Sequence, residues 1–538
     1  MTLRQIRAKL RSRREGDGAR AGNDEWRDVA EKPSWVGEWL ERADAHVMVD
    51  VELETALPWE ETRRYEYSKL YVATDSGEGF SEECVVCFPL VRRDGFQRMR
   101  VALPETARQA ARVQLRLDPF PFCETGRYRA VAVQLVDAAA GDEAATRLAE
   151  LRHLKQQVRR RVEDAEAAGD VVLGHLPESL SLELTPRCNL TCGHCGTHGT
   201  TELHKRHNAM AGMQPETLTR LADEVFPSLT AVTVIGRGEP LLADDATWQA
   251  LLDALRRHGV MLRFVTNGTL LRRRLTPEVM PLLDTITVSI DGNSEETMQA
   301  NRGGVRLEHV LDGVRHYHEL RRDAGLARRP RLCLSWTLKR NNIHEFPDFV
   351  ERVAEFEPDV VFARHLLIYF EREESESLLG EPALANPHLR RAYAALERLG
   401  IRGEVPSLMD ESPRPAVGAS SEPPVPRAQP HLGRCPFIRR TAVVNANGDV
   451  PTCTVPVAPI AGNLMRAPSF ADIWNGDALT DVRGAMDTPG EWEMCRNCYN
   501  REGHWAEQRA AAAKHDRYDH ESAETFTEEA WNYRRHTE

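Results

Sequence analysis

The stretch Leu180-Ser-Leu-Glu-Leu184-Thr185-Pro-Arg-Cys188-Asn-Leu-Thr-Cys192-Gly-His-Cys195-Gly196 decides how this chain is read. Residues 180–184 predict a strand that runs straight into a loop with C-x₃-C-x₂-C spacing. Three thiolates this close on one loop can converge on one metal centre. A [4Fe–4S] cluster has four irons, so three cysteines leave one iron without a protein ligand. An open iron is a place for chemistry, as an open position on zinc is. A structural zinc loop, or unrelated thiols, is the competing reading of the triplet alone.

Beyond the loop, strand and helix patterns alternate. Strands are predicted at 231–235, 261–265, 285–290, 331–336 and 359–363, with helical patterns at 215–226, 247–258, 277–283, 343–356 and within 295–324. With 180–184 this makes six β/α repeats. Such repeats predict an α/β fold, a parallel sheet with helices outside. Ligands of these folds gather beyond the C-terminal strand ends.

The strand ends carry the polar residues. Gly236-Arg-Gly238-Glu239-Pro follows the second strand. Glycine lets a ligand approach the backbone, and Glu239 can accept from an ammonium; alone, the motif is also an ordinary tight turn. Thr266-Asn267-Gly-Thr follows the third strand and Ser289-Ile-Asp291-Gly the fourth. In extended chain Ser289 and Asp291 share a face. A hydroxyl beside a carboxylate suits a diol, although Asp-Gly and Asn-Gly are also common turn pairs. Arg302 lies beyond, and Lys339-Arg-Asn-Asn ends the fifth strand, where an Asn can instead cap the next helix.

A second cysteine set follows: Cys435, a hairpin signal at Asn445-Ala-Asn-Gly-Asp, Cys453, and then Cys495-Arg-Asn-Cys498. Four thiolates can fully ligate one [4Fe–4S] cluster. A Cys₄ zinc knuckle is the alternative.

Taken in order, the elements of 179–370 resemble the radical S-adenosylmethionine (SAM) enzymes. The C-terminal set resembles their SPASM and twitch extensions, nearer the shorter twitch form because four cysteines are visible. The resemblance implies a partial (β/α)₆ barrel of the radical SAM type, with Cys188, Cys192 and Cys195 holding a [4Fe–4S] cluster whose open iron chelates SAM. It implies that Gly236, Gly238 and Glu239 hold the SAM amino group, with Thr266 and Asn267 also binding cofactor. Ser289 and Asp291 would meet the ribose and Arg302 the carboxylate, while His194 packs against the ligand. Cys435, Cys453, Cys495 and Cys498 would hold a second, auxiliary [4Fe–4S] cluster.

The implied chemistry is reductive cleavage of SAM to a 5′-deoxyadenosyl radical, which abstracts hydrogen from a substrate. An external electron donor such as a flavodoxin or ferredoxin is implied too. The leading expectation is oxidation or epimerisation of a sugar or other small metabolite. The alternative is a peptide or protein maturase of the RiPP or sulfatase-maturase type. No winged-helix pattern is evident before the barrel, which weighs against that alternative. A non-catalytic, metal-stabilised binding protein is the remote third reading.

Length and charge set the frame. A chain of 538 residues holds several domains. A formal charge of −12 argues against nucleic-acid binding through broad phosphate contact. No apolar run is long enough to cross a bilayer, and the basic N-terminus lacks the apolar core of a secretory signal. The 11 cysteines cluster at metal spacing, which fits a reducing, cytoplasmic setting. The expected domains are a basic arm (1–30), an antiparallel β accessory domain (31–140, sandwich-like), a helical linker (141–175), the core (176–371), a helix and Pro-rich linker (372–432), the iron–sulfur domain (433–505) and a charged tail (506–538). Cys84, Cys87 and Cys123 read as core thiols rather than ligands.

Overall fold

The computed structural model describes residues 20–137 (apart from 22–26, 29–33, 44–45, 57–67, 76, 78, 82–83, 89–93 and 119–126), 142–324, 330–409 except 407, 435–501 except 456, 497 and 499, and Asn532. The basic arm before residue 20, Cys123, the Pro-rich stretch 410–434 and nearly all of the tail lie outside the described residues, as does the Cys87 side chain. The chain divides into two compact units, Met1–Gln157 and Val158–Glu538.

Among its described residues the first unit holds nine strands: β1 (Arg20–Ala21), β2 (Arg27–Asp28), β3 (Trp35–Glu41), β4 (His46–Ala56), β5 (Ser68–Thr74), β6 (Val85–Phe88), β7 (Asp94–Ala102), β8 (Arg112–Asp118) and β9 (Arg127–Asp137). They form two antiparallel sheets, one ordered β1–β9–β4–β7 with β2 on β9, the other β3–β8–β5–β6. Alternation sends Val49, Val51 and Leu53 of β4 inward, and Val113, Leu115 and Leu117 of β8 meet them in one core. The unit is therefore a β-sandwich. Cys84 is buried there and accepts from Thr106 Oγ1 at 3.3 Å. Helix Asp142–Ala168 then carries the chain into the second unit.

The second unit is built on an eight-stranded parallel sheet. Its strands are β10 (Ser179–Leu182), β11 (Ala231–Val234), β12 (Met261–Thr266), β13 (Leu283–Ser289), β14 (Arg331–Leu338), β15 (Val360–His365), β16 (Gly403–Glu404) and β17 (Thr441–Val444). The spatial order is β16–β15–β14–β13–β12–β11–β10–β17. Chain order and neighbour order coincide from β10 to β16, as successive β/α crossovers in one direction produce. The helices bury one stripe each. In helix Asp245–His258 that stripe is Trp248, Leu251, Leu252 and Leu255, and Gly259 ends the helix at φ 58°.

Two details depart from the sequence reading. The helix expected at 277–283 is a short 3₁₀ turn, Met280–Leu282, because Pro281 has no N–H to continue a helical ladder. The hairpin expected at Asn445–Asp449 has its turn, with Gly448 at φ 82°, but its two arms part. β17 joins the barrel sheet beside β10, from Ser179↔Thr441 to Leu182↔Val444. Asp449–Pro451 (β18) instead pairs antiparallel with Ile460–Asn463 (β19). Burial of Ala442, Val443 and Val444 on the open edge of β10 stabilises the first pairing.

Candidate active site

β10 delivers the cysteine loop to the C-terminal side of the sheet, and the loop is tied down residue by residue. Cys188 N–H donates to Asn208 Oδ1 at 2.8 Å, while Asn208 Nδ2 donates back to Cys188 O at 3.1 Å. Cys195 N–H donates to Cys192 O at 2.9 Å. His198 N–H donates to Cys195 Sγ at 3.3 Å, and Thr197 Oγ1 stands 3.2 Å from the same sulfur.

Behind the loop runs a polar chain that the sequence reading missed. Asn208 Nδ2 donates to His204 Nε2 (2.9 Å), His204 Nδ1 stands 3.1 Å from His198 Nδ1, and His198 Nε2 stands 3.0 Å from Pro186 O. With both imidazoles neutral, one direction satisfies every step: His204 Nδ1–H donates to His198, and His198 Nε2–H donates to Pro186 O. The cluster of histidines at 198, 204 and 207 was the available signal.

The glycine–glutamate turn supports the loop through close backbone contact. A Cβ on Gly238 would lie 2.6 Å from Pro186 C and from Thr185 O. A Cβ on Gly236 would lie 2.6 Å from Glu183 Cγ. Glu239 N–H donates to Arg187 O at 2.8 Å. Between the glycines, Arg237 grips Glu183 through Nε (2.8 Å) and Nη2 (2.5 Å), and Ala446 N–H, just past β17, also donates to Glu183. Burial would raise the Glu183 pKa, but the Arg237 hydrogen bonds and charge outweigh it and hold the carboxyl below its usual range.

Glu239, Thr266 and Asn267 meet in one network. Glu239 accepts from Thr266 Oγ1 at 2.7 Å and from Asn267 N–H at 2.8 Å. Asn267 Nδ2 reaches back to Asn189 of the cysteine loop at 2.9 Å. Burial raises the Glu239 pKa. The Ser289 hydroxyl, at the end of β13, lies 3.2 Å from that of Ser335 within the adjacent β14.

Asp291 and Arg302 come together at 2.7 Å, with the Asp291 carboxylate fully buried. Thr337 N–H donates to the other Asp291 oxygen at 2.6 Å. His194 Nε2 lies 3.6 Å from Asp291 Oδ2. Burial outweighs the pull of Asp291 and lowers the His194 pKa to about 3, so the imidazole is neutral. Arg302 and Asp291 also act electrostatically on Cys192, and Glu239 acts on Cys188. The predicted strand-end residues thus surround the predicted thiols.

These residues fit the implied cofactors. Burial pushes Cys188 up to about 12 and Cys192 to about 11, so the thiolates need compensating metal charge. Among the described residues no three His, Cys, Asp or Glu side chains converge as a single ion requires; a cubane spreads its thiolates over separate irons. His194 Nδ1 is buried without a hydrogen-bond partner beside the Asp291–Arg302 pair, which suits a polar ligand such as SAM.

The second set also comes together. One cavity has Cys435, Cys453, Cys495 and Cys498 on its wall, with Ile438, Val455, Val482 and Met486. Burial pushes Cys495 up to about 12 and Cys498 to about 11. Arg501 lines the same cavity, held by Glu491 and by Asp487 at 2.5 Å.

Comparison with known proteins accounts for both sites. Residues 182–353 match the model of the Radical SAM superfamily, and residues 435–499 match SPASM, an iron–sulfur cluster-binding domain. The chain is a radical SAM enzyme. It carries a SPASM domain at its C-terminus, and its cofactors are SAM, a SAM-binding [4Fe–4S] cluster and an auxiliary cluster. Similar proteins include mycofactocin maturase MftC of Mycobacterium tuberculosis, 25% identical over 341 residues that cover 60% of this chain and 77% of the relative. PqqA peptide cyclase of Xanthomonas axonopodis pv. citri is 24% identical over 368 residues, 62% of this chain and 84% of the relative. Among solved structures, Streptococcus suis SuiB bound to S-adenosylmethionine overlays at a TM-score of 0.42 and 16% identity, over 61% of this chain and 72% of that one. No helix among the described residues is long and apolar enough to cross a membrane.

Proposed function

We propose that this enzyme is a peptide or protein maturase. The carrying observation is its similarity to a mycofactocin maturase and a PqqA peptide cyclase across most of both relatives' length. That similarity favours the peptide alternative over the sugar or small-metabolite reading that leads on sequence alone. The missing winged-helix pattern weighed against peptides, but a leader-binding module is one way among several to hold a peptide.

When bound, the cluster and SAM supply hydrogen abstraction; the protein supplies position and exclusion of water. Cys188, Cys192 and Cys195 would hold the cluster, and three ligands for four irons would leave room for SAM. Glu239, fixed by Thr266 and Asn267, would accept from the SAM ammonium. Arg302 and Asp291 offer a cation and an anion side by side for the carboxylate and ribose. An external donor of the flavodoxin or ferredoxin class delivers the electron.

The test is anaerobic. The reconstituted enzyme is given SAM, reductant and either short peptides encoded beside its gene or a panel of sugars and aminoglycosides. The expected result is a mass change in a peptide, matched by 5′-deoxyadenosine and by deuterium transfer from the labelled peptide. Deuterium transfer from a sugar, with every peptide unchanged, would overturn the reading.

A further inference from the structure

We propose that Tyr369 and Arg372 are positioning residues of the catalytic cysteine loop, and that Tyr369 links this loop to the auxiliary site. Both lie just beyond β15, in a segment that no motif marks. Tyr369 N–H and Phe370 N–H donate to Glu373 Oε2 at 2.7 and 3.2 Å, which fixes the direction in which the segment presents its side chains. Glu373 is itself buried.

The contact with the catalytic loop is close. A Cβ on Gly196, the residue after Cys195, would stand 3.0 Å from Tyr369 Cγ and Cδ1 and 3.2 Å from Cδ2. The ring therefore rests against the glycine backbone. Arg372 Nη2 donates to Gly193 O and Gly199 O, both at 2.8 Å. These carbonyls flank Cys195 in sequence, so one guanidinium closes a fork around that ligand. The Arg372 cation also sits 4.4 Å from the centre of the Phe370 ring, which limits its wandering.

The other contact is with the auxiliary site. Tyr369, like Cys453, packs against a small buried group made by Leu367, Val455 and Cys498. Cys453 and Cys498 are wall residues of the auxiliary cavity. One aromatic side chain thus touches the catalytic loop and a buried group that contains the auxiliary Cys498 and borders Cys453. Packed interiors transmit displacement because they have little free volume. A coupling of this kind is reciprocal: filling the auxiliary site steadies the catalytic loop, and the converse. Tyr369 gives up no electron or proton in this role. The inference rests on the two cluster assignments and is independent of the peptide reading; its failure leaves that reading standing.

The test uses the full chain with both clusters and reads spectra rather than turnover. The electron paramagnetic resonance signal of the reduced SAM-site cluster, its change on adding SAM, and the SAM Kd are measured for Tyr369→Phe, Tyr369→Leu and Arg372→Gln. Tyr369→Phe keeps the ring and is expected to match the wild type. Tyr369→Leu and Arg372→Gln are expected to alter the line shape and weaken SAM binding several-fold at unchanged iron content. Cys498→Ser is expected to shift the SAM-site signal in the wild type but not in Tyr369→Leu. The proposal is overturned if iron-loaded Tyr369→Leu shows the wild-type signal and SAM affinity, or if the Cys498→Ser shift is the same in both backgrounds. Should Tyr369→Leu fail to fold, Tyr369→Met takes its place with the same two readings.

Discussion

The two cysteine sites of this enzyme differ in what surrounds the sulfurs. The catalytic loop offers three thiols, with Arg302, Asp291, His194 and Glu239 close enough to act on them or on one another. The auxiliary site offers four thiols, and Ile438, Val455, Val482 and Met486 fill much of the wall between them. One ligand fewer and a ring of charge make a site that must bind something more. One ligand more and a largely apolar wall, whose Arg501 is already paired with Asp487 and Glu491, make a site that is complete once its cluster is in place. Site chemistry is therefore set by ligand count and by the neighbours together, and cysteine spacing reports only the first.

The largest effect that sharpens this contrast is expected from Cys192→Ala. It should abolish SAM cleavage while iron analysis still finds the auxiliary cluster; retained 5′-deoxyadenosine release would remove the assignment of the open site. Cys453→Ala is the mirror experiment: auxiliary iron is lost, and slow SAM cleavage without substrate persists. Zinc in place of iron at the four auxiliary thiols would break the comparison outright.

Gly238→Ala comes next. Its Cβ would press on the backbone at Pro186 and Thr185, and overpacking of this kind costs about 1–3 kcal/mol. Because the backbone pushed aside carries the cysteine loop, SAM-site iron should fall while auxiliary iron stays, as metal analysis and thermal unfolding would show.

Glu183→Gln should destabilise the fold by about 2 kcal/mol, because it leaves Arg237 half-buried without its carboxylate. The Glu183 pKa is lowered in the folded state. Its stabilisation is therefore fully present above the unfolded value of about 4.3 and is lost as pH falls through the lower folded value. The variant should show a smaller loss of stability on acidification than the wild type. Equal acid sensitivity in both would refute the role given to this pair.

The smallest effects are expected far from iron or one bond away. Thr266→Val removes the hydroxyl that donates to Glu239; a typical hydrogen bond contributes about 0.5–1.5 kcal/mol net, and titration should find weaker SAM binding. Cys84→Ala removes a buried thiol of the sandwich and should leave the iron content of both sites unchanged.

Much of this site was legible in the sequence because its ligands lie within short loops. Cys188 to Cys195 is a local spacing, and Glu239, Asn267 and Asp291 each follow a strand whose apolar run can be read directly. The strand-end rule then places them on one side of the sheet. The relay through His198, His204 and Asn208 was not legible, since its partner atoms include the backbone of Pro186 and Cys188. Gly238 was read as room for a ligand, yet the structure packs it against the loop.

The sequence by itself determined the two cysteine sets, the order of β/α repeats and a β-rich unit before them, because periodicity and spacing are properties of neighbours along the chain. Only the tertiary structure decided that β17 joins the barrel sheet, that Glu183 ties the end of β10 to both Arg237 and Ala446, and that Tyr369 rests on Gly196 of the catalytic loop. Each of these joins residues far apart in the chain. Burial, and the need to pair every buried polar group, selects such contacts after the chain has folded.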